Sequence, residues 1–384
     1  MSRPLAALVT LAVAGALLPA PAAGAVSSAT PIRHLVVLMQ ENHSFDNYFG
    51  TFPGADGIPR DTCMPVPRAA TRSRCVRPFR LGGRAVPDLP HDARTHRIQY
   101  ARGAMDGFVR GASAQRQKPE FSVMGFYGSH DLPFHWSTAR EYVLFDRFFA
   151  AAPGGSVANH LFWLTGTGGG HGGRIPEEGF GNLPTIFDRL EERGISWKFY
   201  VEDYDPRHTI AAEGRADRST QAVRVPLLNF PRVVRDRKLF SHIVDMDEYY
   251  EDLERGTLPA VAYIAPAGGS EHPPGGVAPG QTLVRTLVNA LARSEAWRSA
   301  AFMWTYDEWG GWFDHVPPPQ GRGFRVPALL VSPYARRGVV DSTPLDHTSI
   351  LRFIEDNWRL APLAERDGHA RSLDGAFDFA SEPR

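Results

Sequence analysis

The stretch that decides the fold is VVLMQENHSFDNYFG, residues 36–50. Its apolar run stops abruptly at Gln40, Glu41 and Asn42. A short, continuous apolar run is the pattern of a strand buried on both faces. An acid and an amide side by side at its end make either a solvated turn or the edge of a metal site. The rest of the chain has to choose between them.

The same strand-like pattern recurs in HLVVLM (34–39), SWKFYV (196–201), AVAYIA (260–265), SAAFMWTY (299–306) and VPALLVS (326–332). Helical patterns separate these runs: TIFDRLEERG ending at Gly194, MDEYYEDLERG ending at Gly256, QTLVRTLVNALARSEAW (281–297) and HTSILRFIEDNW (347–358). In the third, Leu283, Leu287 and Leu291 recur every fourth residue with Val284 and Val288 alongside, which makes one apolar stripe. Gly194 and Gly256 stand where helix C-caps belong. The alternation predicts an α/β fold with a mostly parallel central sheet covered by helices on both faces. In such sheets ligands bind beyond the carboxyl ends of the strands. Three of the runs lead directly into polar, glycine-rich segments: Glu41-Asn42, PAGGSEHPPGG (266–276) and DEWGGWFDHVPPP (307–319).

The chain has 384 residues, 43% of them hydrophobic, enough for one large core. Lys+Arg and Asp+Glu both total 42, so charge argues against a nucleic-acid partner. Residues 1–25 have the layout of a secretory signal peptide: one Arg, a short apolar run from Leu5 to Leu18, and Ala23-Gly24-Ala25 before a cut near Ala25/Val26. Export by a Sec-type route, outside the cell or into the cell wall, is therefore expected. The expected organisation is a single domain over 26–384, with 51–135 an insertion forming a lid or wall over the strand ends. That segment is rich in Gly, Pro and Arg. In an oxidising compartment Cys63 and Cys75 are expected to pair as a structural disulfide.

Singly, each acidic strand end is a weak signal. Asp307-Glu308 is stronger, because Gly310-Gly311 lets backbone approach a ligand closely. Hard divalent cations take oxygen ligands, and carboxylates from separate strands can converge on one ion. A candidate nucleophile lies in AAAPGGSVANHLFWLTGTGGG (150–170): Ser156 follows a Gly-Gly turn ahead of a helix. Two readings stand here. Ser156 is either a plain helix N-cap or a hydroxyl held where backbone N–H groups face a bound anion.

QENHSFDNYFG (40–50), the block from Met124 to Thr167, SEHPP (270–274) with GQTLVRTLVNAL, and TYDEWGGWFDHVPPP together resemble the phosphoesterase family of bacterial phosphatidylcholine-preferring phospholipases C and related acid phosphatases. The resemblance runs in order from about residue 33 to 379. It implies an alkaline-phosphatase-like fold and one divalent metal beside a hydroxyl nucleophile. Carried over position by position, it implies metal ligation by Glu41, Asn42, Asp307, Glu308 and Ser156, with Ser156 as nucleophile and Asn42 also stabilising phosphoryl charge. His272 matches a histidine that contacts the phosphoryl group and would protonate the leaving alcohol, work suited to imidazole. His91 matches a second such histidine, with His96 as its rival. The chain departs from the family pattern at Ser156 for the commoner Thr, Val157-Ala158 for His-Pro, His43 for Arg and Trp309 for Asn.

The metal is expected to be Ca²⁺, Mg²⁺ or Mn²⁺, with iron or zinc also compatible. The expected substrate is a phosphate ester or phospholipid, with transient contact at lipid interfaces and no obligate protein partner. Phospholipase C-type cleavage through a phosphoserine leads. A broad acid phosphatase is the alternative, and a non-catalytic extracellular binding protein of the same fold is the outsider. His130 and His135 read as wall or core groups, His315 as packing or support for Asp307, and His347 as a helix-start residue. Trp304, Trp309, Trp312 and Phe313 are either core aromatics or a cage for a choline head group.

Overall fold

The computed structural model describes residues 27–66, 74–84, 86–114, 119–171 and 173–383. The expected signal peptide lies outside them. Eight strands form the central sheet: β1 His34–Gln40, β2 Val143–Phe145, β3 Trp197–Val201, β4 Ile243–Asp245, β5 Val261–Ala265, β6 Ala300–Tyr306, β7 Ala328–Val331 and β8 Val339–Asp341. Their spatial order is β8-β2-β7-β6-β1-β5-β3-β4. β7 runs against both neighbours, and every other pairing is parallel. The sheet is therefore mostly parallel, as the alternation of runs implies. All seven residues of β6 are buried, as are all five of β5, so both sheet faces are covered.

The five runs read from sequence are β1, β3, β5, β6 and β7. The strands β2, β4 and β8 have three residues each, too few to show a period. Helices α1 Ala93–Tyr100, α2 Ser156–Thr165, α3 Ile186–Glu192, α4 Thr220–Arg224, α5 Asp247–Arg255, α6 Val277–Arg293 and α7 His347–Trp358 include all four helices expected. Leu283, Val284, Leu287, Val288 and Leu291 form the buried stripe of α6. Gly256 caps α5 in the left-handed conformation.

Residues 51–135 carry little of the sheet. Two short strand pairs, Met64–Pro65 with Cys75–Val76 and Phe79–Arg80 with Gly125–Phe126, give this segment its local order. Cys63 and Cys75 are disulfide-bonded, with Cα atoms 5.4 Å apart. Leu81, Leu89, Phe108 and Val109 from this segment belong to the common core, so it is packed onto the domain rather than hung from it.

Candidate active site

The register of β1 against β6 places Gln40 beside Tyr306, so the chain emerges from both strands at one point. Asp307 N–H donates to Gln40 O at 3.0 Å. Asn42 then turns into the left-handed region at φ 63°, which an Asn tolerates better than most residues. Its N–H donates to Asp307 Oδ1 at 3.0 Å, and Glu308 N–H donates to the same oxygen at 2.7 Å. Gly310, at φ 61°, passes so close that an added Cβ would lie 2.2 Å from Asn42 O. Gly310 thus allows the DE turn to close on the EN turn, and Gly311 allows it to pack against Leu89 and Pro90, backbone approaches rather than ligand contacts.

Ser156 is the first residue of α2, and Gly155, at φ 87°, takes the N-cap place. The plain N-cap reading of Ser156 is therefore not what the chain adopts. Gly155 N–H donates to Glu308 Oε2 at 2.9 Å, tying the start of α2 to the DE turn. Ser156 lines an open cleft of about 520 Å³ with Asp88, Leu89, Pro90, His91, Asp92 and Gly155. His91 Nε2 stands 3.6 Å from Glu308 Oε1, and its ring is 5.9 Å from that of His272. His96 sits elsewhere, buried against Tyr100, Trp309 and Phe324. The structure brings together Glu41, Asn42, His91, Ser156, His272, Asp307 and Glu308.

Two members of this cluster have no counterpart in the motif reading. His160 Nε2 donates to Glu41 Oε1 at 2.9 Å, and Arg224 Nε donates to that oxygen at 3.0 Å. His160 had a signal: it follows Ser156 by four residues, one helical turn along the same face. Arg224 had none, because α4 is five residues long and reaches the site only through the fold. Its other nitrogens donate to Pro266 O at 2.8 Å and Ser270 Oγ at 3.0 Å. Ser270 Oγ in turn accepts from His272 N–H at 3.2 Å. Gln40 grips the same segment through Gly269 O and Glu271 N–H.

Glu271 anchors the loop from below. It is fully buried and accepts from Tyr48 Oη at 2.5 Å and Tyr306 Oη at 2.6 Å, with His135 Nε2 at 3.4 Å. His43 packs here too, with its Nδ1 2.7 Å from Asn47 Oδ1 and its Nε2 3.0 Å from Glu271 O. His347 bridges Tyr306 O and Ala151 N–H at the head of α7. His315 bonds Asp46 rather than Asp307, so it supports a neighbouring ion-pair cluster. Trp304, Trp309 and Trp312 are wholly buried and Phe313 nearly so, which makes them core aromatics and not a head-group cage.

Electrostatics separate the acids. Burial pushes Glu41 up, but Arg224 and then His160 outweigh it and hold its carboxyl at about 2. Burial, reinforced by Glu41 and Glu308, pushes Asp307 up to about 8. Burial drives Glu308 well above the carboxylate range despite the Gly155 N–H. Three buried carboxylates thus face one another with too little positive charge. Among the described residues, Asp307 Oδ2, Glu308 Oε1 and both amide atoms of Asn42 are buried without a hydrogen-bond partner. One donor atom each from Glu41, His160 and Asp307 lies within 4.8 Å of the others. Orphaned oxygens and converging carboxylates fit a hard divalent cation.

The family model of the Phosphoesterase family matches residues 32–361. Phospholipase C A of Mycobacterium tuberculosis (strain ATCC 25618 / H37Rv) is 30% identical, over 92% of this chain and 78% of that protein. Non-specific phospholipase C6 of Arabidopsis thaliana is 27% identical, over 92% of this chain and 74% of that protein. Non-hemolytic phospholipase C of Pseudomonas aeruginosa is 27% identical, over 91% of this chain and 58% of that protein. A solved protein of the alkaline phosphatase superfamily from Vibrio parahaemolyticus aligns at TM-score 0.44 and 12% identity, over 90% of this chain and 72% of that one, and nothing further rests on it. With the family model matching residues 32–361 and a relative 30% identical over most of both chains, the chain belongs to the Phosphoesterase family and is a phosphoric ester hydrolase.

Proposed function

We propose that the chain is a secreted, metal-dependent phosphoesterase that cleaves phospholipid head groups in the manner of a phospholipase C, with Ser156 as nucleophile. The observation that carries the proposal is the position of Ser156: at the mouth of the cleft, on the first turn of α2, against a carboxylate cluster with orphaned oxygens. The named relatives support the substrate class.

Glu41, Asn42, Asp307 and Glu308, with Ser156, would hold the cation. When bound, a divalent ion there supplies Lewis-acid stabilisation of negative charge and favours the ionised hydroxyl. Ser156 Oγ attacks phosphorus in line, and the P–O bond to the leaving alcohol breaks. His272, its ring 5.9 Å from that of His91, gives a proton to that alcohol oxygen. Asn42 and His91 steady charge on the non-bridging oxygens. The phosphoserine formed then meets water, whose proton returns to His272 as the Ser156–phosphorus bond breaks. His160 and Arg224 keep Glu41 ionised and aimed; neither is a reacting group in this scheme.

Burial of the tryptophans takes away the aromatic cage for choline, and this favours a broad phosphomonoesterase as the second reading. A single panel separates the two. Chelated protein, reloaded with one metal at a time, is assayed on phosphatidylcholine vesicles and on p-nitrophenyl phosphate. Phosphocholine release supports the lipase, inorganic phosphate from the monoester alone supports the phosphatase, and turnover unaffected by chelation sinks the metal. Acid quenching followed by mass spectrometry should find phosphate or phosphocholine on Ser156. Amino-terminal sequencing of culture-supernatant protein should begin at Val26.

A further inference from the structure

A buried joint lies on the inner side of the segment that carries His272. Glu271 directly precedes His272, Tyr306 directly precedes Asp307, and Tyr48 lies in the short helix Phe45–Phe49 that follows Asn42. The chain leaving each of β1, β5 and β6 therefore has one side chain of this joint beside its site residues. The three meet at a single atom. Glu271 Oε2 accepts from Tyr48 Oη at 2.5 Å and from Tyr306 Oη at 2.6 Å, and all three residues are fully buried. Burial alone would raise the Glu271 carboxyl, but His135, then His43 and Tyr306, outweigh it and hold it below the ordinary glutamate value, as an anion. Burial, with Glu271 beside them, pushes both phenols well above the tyrosine range, so each remains a donor.

The joint grips a short peptide. Glu271 N–H donates to Gln40 Oε1 at 3.2 Å, and Glu271 O lies 3.0 Å from His43 Nε2. Helix α6 closes on the stem of Glu271 at Gly280, where an added Cβ would overlap it. The next side chain is left partly exposed. His272 Nδ1 is 2.6 Å from Pro273 O, a carbonyl that only accepts, so Nδ1 carries its hydrogen there and Nε2 is the nitrogen free to exchange a proton. Locking one residue by both its backbone and its side chain fixes where its neighbour's ring stands. A misplacement of about 1 Å at a reacting group is enough to cost about 10²-fold in rate.

We propose that Glu271 is a positioning residue for the reaction: clamped by Tyr48 and Tyr306, its buried carboxylate sets where His272 Nε2 stands and so governs protonation of the leaving alcohol. The proposal rests on the reading of His272 as proton donor. Glu271 itself, being fully buried, touches neither substrate nor cation. Its effect is therefore selective. As the P–O bond breaks, the Nε2 proton passes to the departing oxygen. An alkyl alkoxide needs that proton, whereas p-nitrophenolate is already a stable anion and leaves without it. A joint that only held the fold together would weaken both reactions alike.

The test uses the mature chain loaded with its activating cation and compares kcat/KM, which reports the step that releases the alcohol. The substrates are p-nitrophenyl and benzyl esters of one phosphoryl group, run both as phosphocholine diesters and as phosphate monoesters. Glu271→Gln should lose at least about tenfold more on the benzyl ester than on the p-nitrophenyl ester. His272→Ala should show the same selectivity in larger degree. Adding Glu271→Gln to His272→Ala should bring no further selective loss, since both act through one proton. Tyr48→Phe keeps the carboxylate and removes one arm of the clamp, and a selective loss of about threefold or more is expected. That milder variant decides the question if Glu271→Gln does not fold. Equal losses on the two esters in these variants, beside a selective loss in His272→Ala, overturn the positioning role and leave the proton donor standing. Equal losses in His272→Ala overturn the donor, and the positioning role falls with it.

Discussion

Two buried acid clusters are built from the same two loops, and they have opposite fates. Glu41, Asp307 and Glu308 open the loops after β1 and β6. Asp46 and Asp314 lie a few residues further along each. In the second cluster Arg325, itself fully buried, donates to Asp314 at 2.9 Å and to Asp46 at 3.0 Å, and stacks its guanidinium 4.5 Å over the Phe45 ring. Its remaining donors reach Asp56 O and Asp146 O, both at 2.8 Å. His315 Nδ1 lies 2.7 Å from Asp46 Oδ2. Asp46, Asp314 and His315 have the donor spacing of a metal site, but Arg325 already fills it. Among the described residues, the first cluster leaves oxygens and an amide without a hydrogen-bond partner. One cluster is satisfied by the chain and holds the loops together. The other is incomplete, and it is where the proposed cation and substrate would sit.

Ser156→Ala tests the open cluster most severely. Hydrolysis should fall by about 10³-fold or more, with an unchanged circular dichroism spectrum. A wild-type rate would remove Ser156 from the chemistry. Arg325→Met should act on the closed cluster through stability instead. It strands two buried carboxylates, at a cost of about 3–5 kcal/mol, read as a lower denaturant midpoint. A loss below about 1 kcal/mol would mean that the latch is not structural.

Asp307→Asn gives the sharpest contrast, because its two effects should have opposite signs. Activity should be lost, yet chelated protein should gain about 1–3 kcal/mol, since one of three crowded buried carboxylates is gone. If chelated Asp307→Asn is less stable than chelated wild type, the first cluster is no less satisfied than the second.

Glu355, on α7, is a third case. Its carboxyl is buried, and burial, with a shared hydrogen bond to Asp367 and that residue's charge beside it, pushes it up to about 9. An unfolded glutamate titrates near 4.3. The folded chain therefore holds this proton more tightly, so stability is fullest below pH ~4 and declines as pH rises towards ~9. Glu355→Gln should melt like wild type at pH ~4 and be more stable by about 1–3 kcal/mol at pH ~8. Equal melting temperatures at both would show that no buried proton is held there.

Much of the fold was legible because long buried strands and amphipathic helices carry a period that survives in one dimension. The ends of β1, β5 and β6 pointed to Glu41, Asn42, His272, Asp307 and Glu308, since a parallel sheet gathers its carboxyl ends on one rim. Ser156 was legible as a hydroxyl after two glycines, but its two readings could not be separated until Gly155 was seen to take the cap. Arg224 was invisible. It comes from a short helix in an irregular segment, and only folding sets its guanidinium 3.0 Å from Glu41.

The sequence by itself determined the sheet, its functional rim and the kinds of donor that stand there, because periodicity and residue chemistry are local properties. Tertiary structure decided which acids are satisfied and which are not. Asp46 and Glu41 are both acids in one short loop. Nothing in that loop says that Arg325 completes the cluster around Asp46 while the one around Glu41 keeps its orphaned oxygens. Such pairing depends on side chains brought together across the sheet. Burial makes the difference matter, since water no longer satisfies what the chain leaves unpaired.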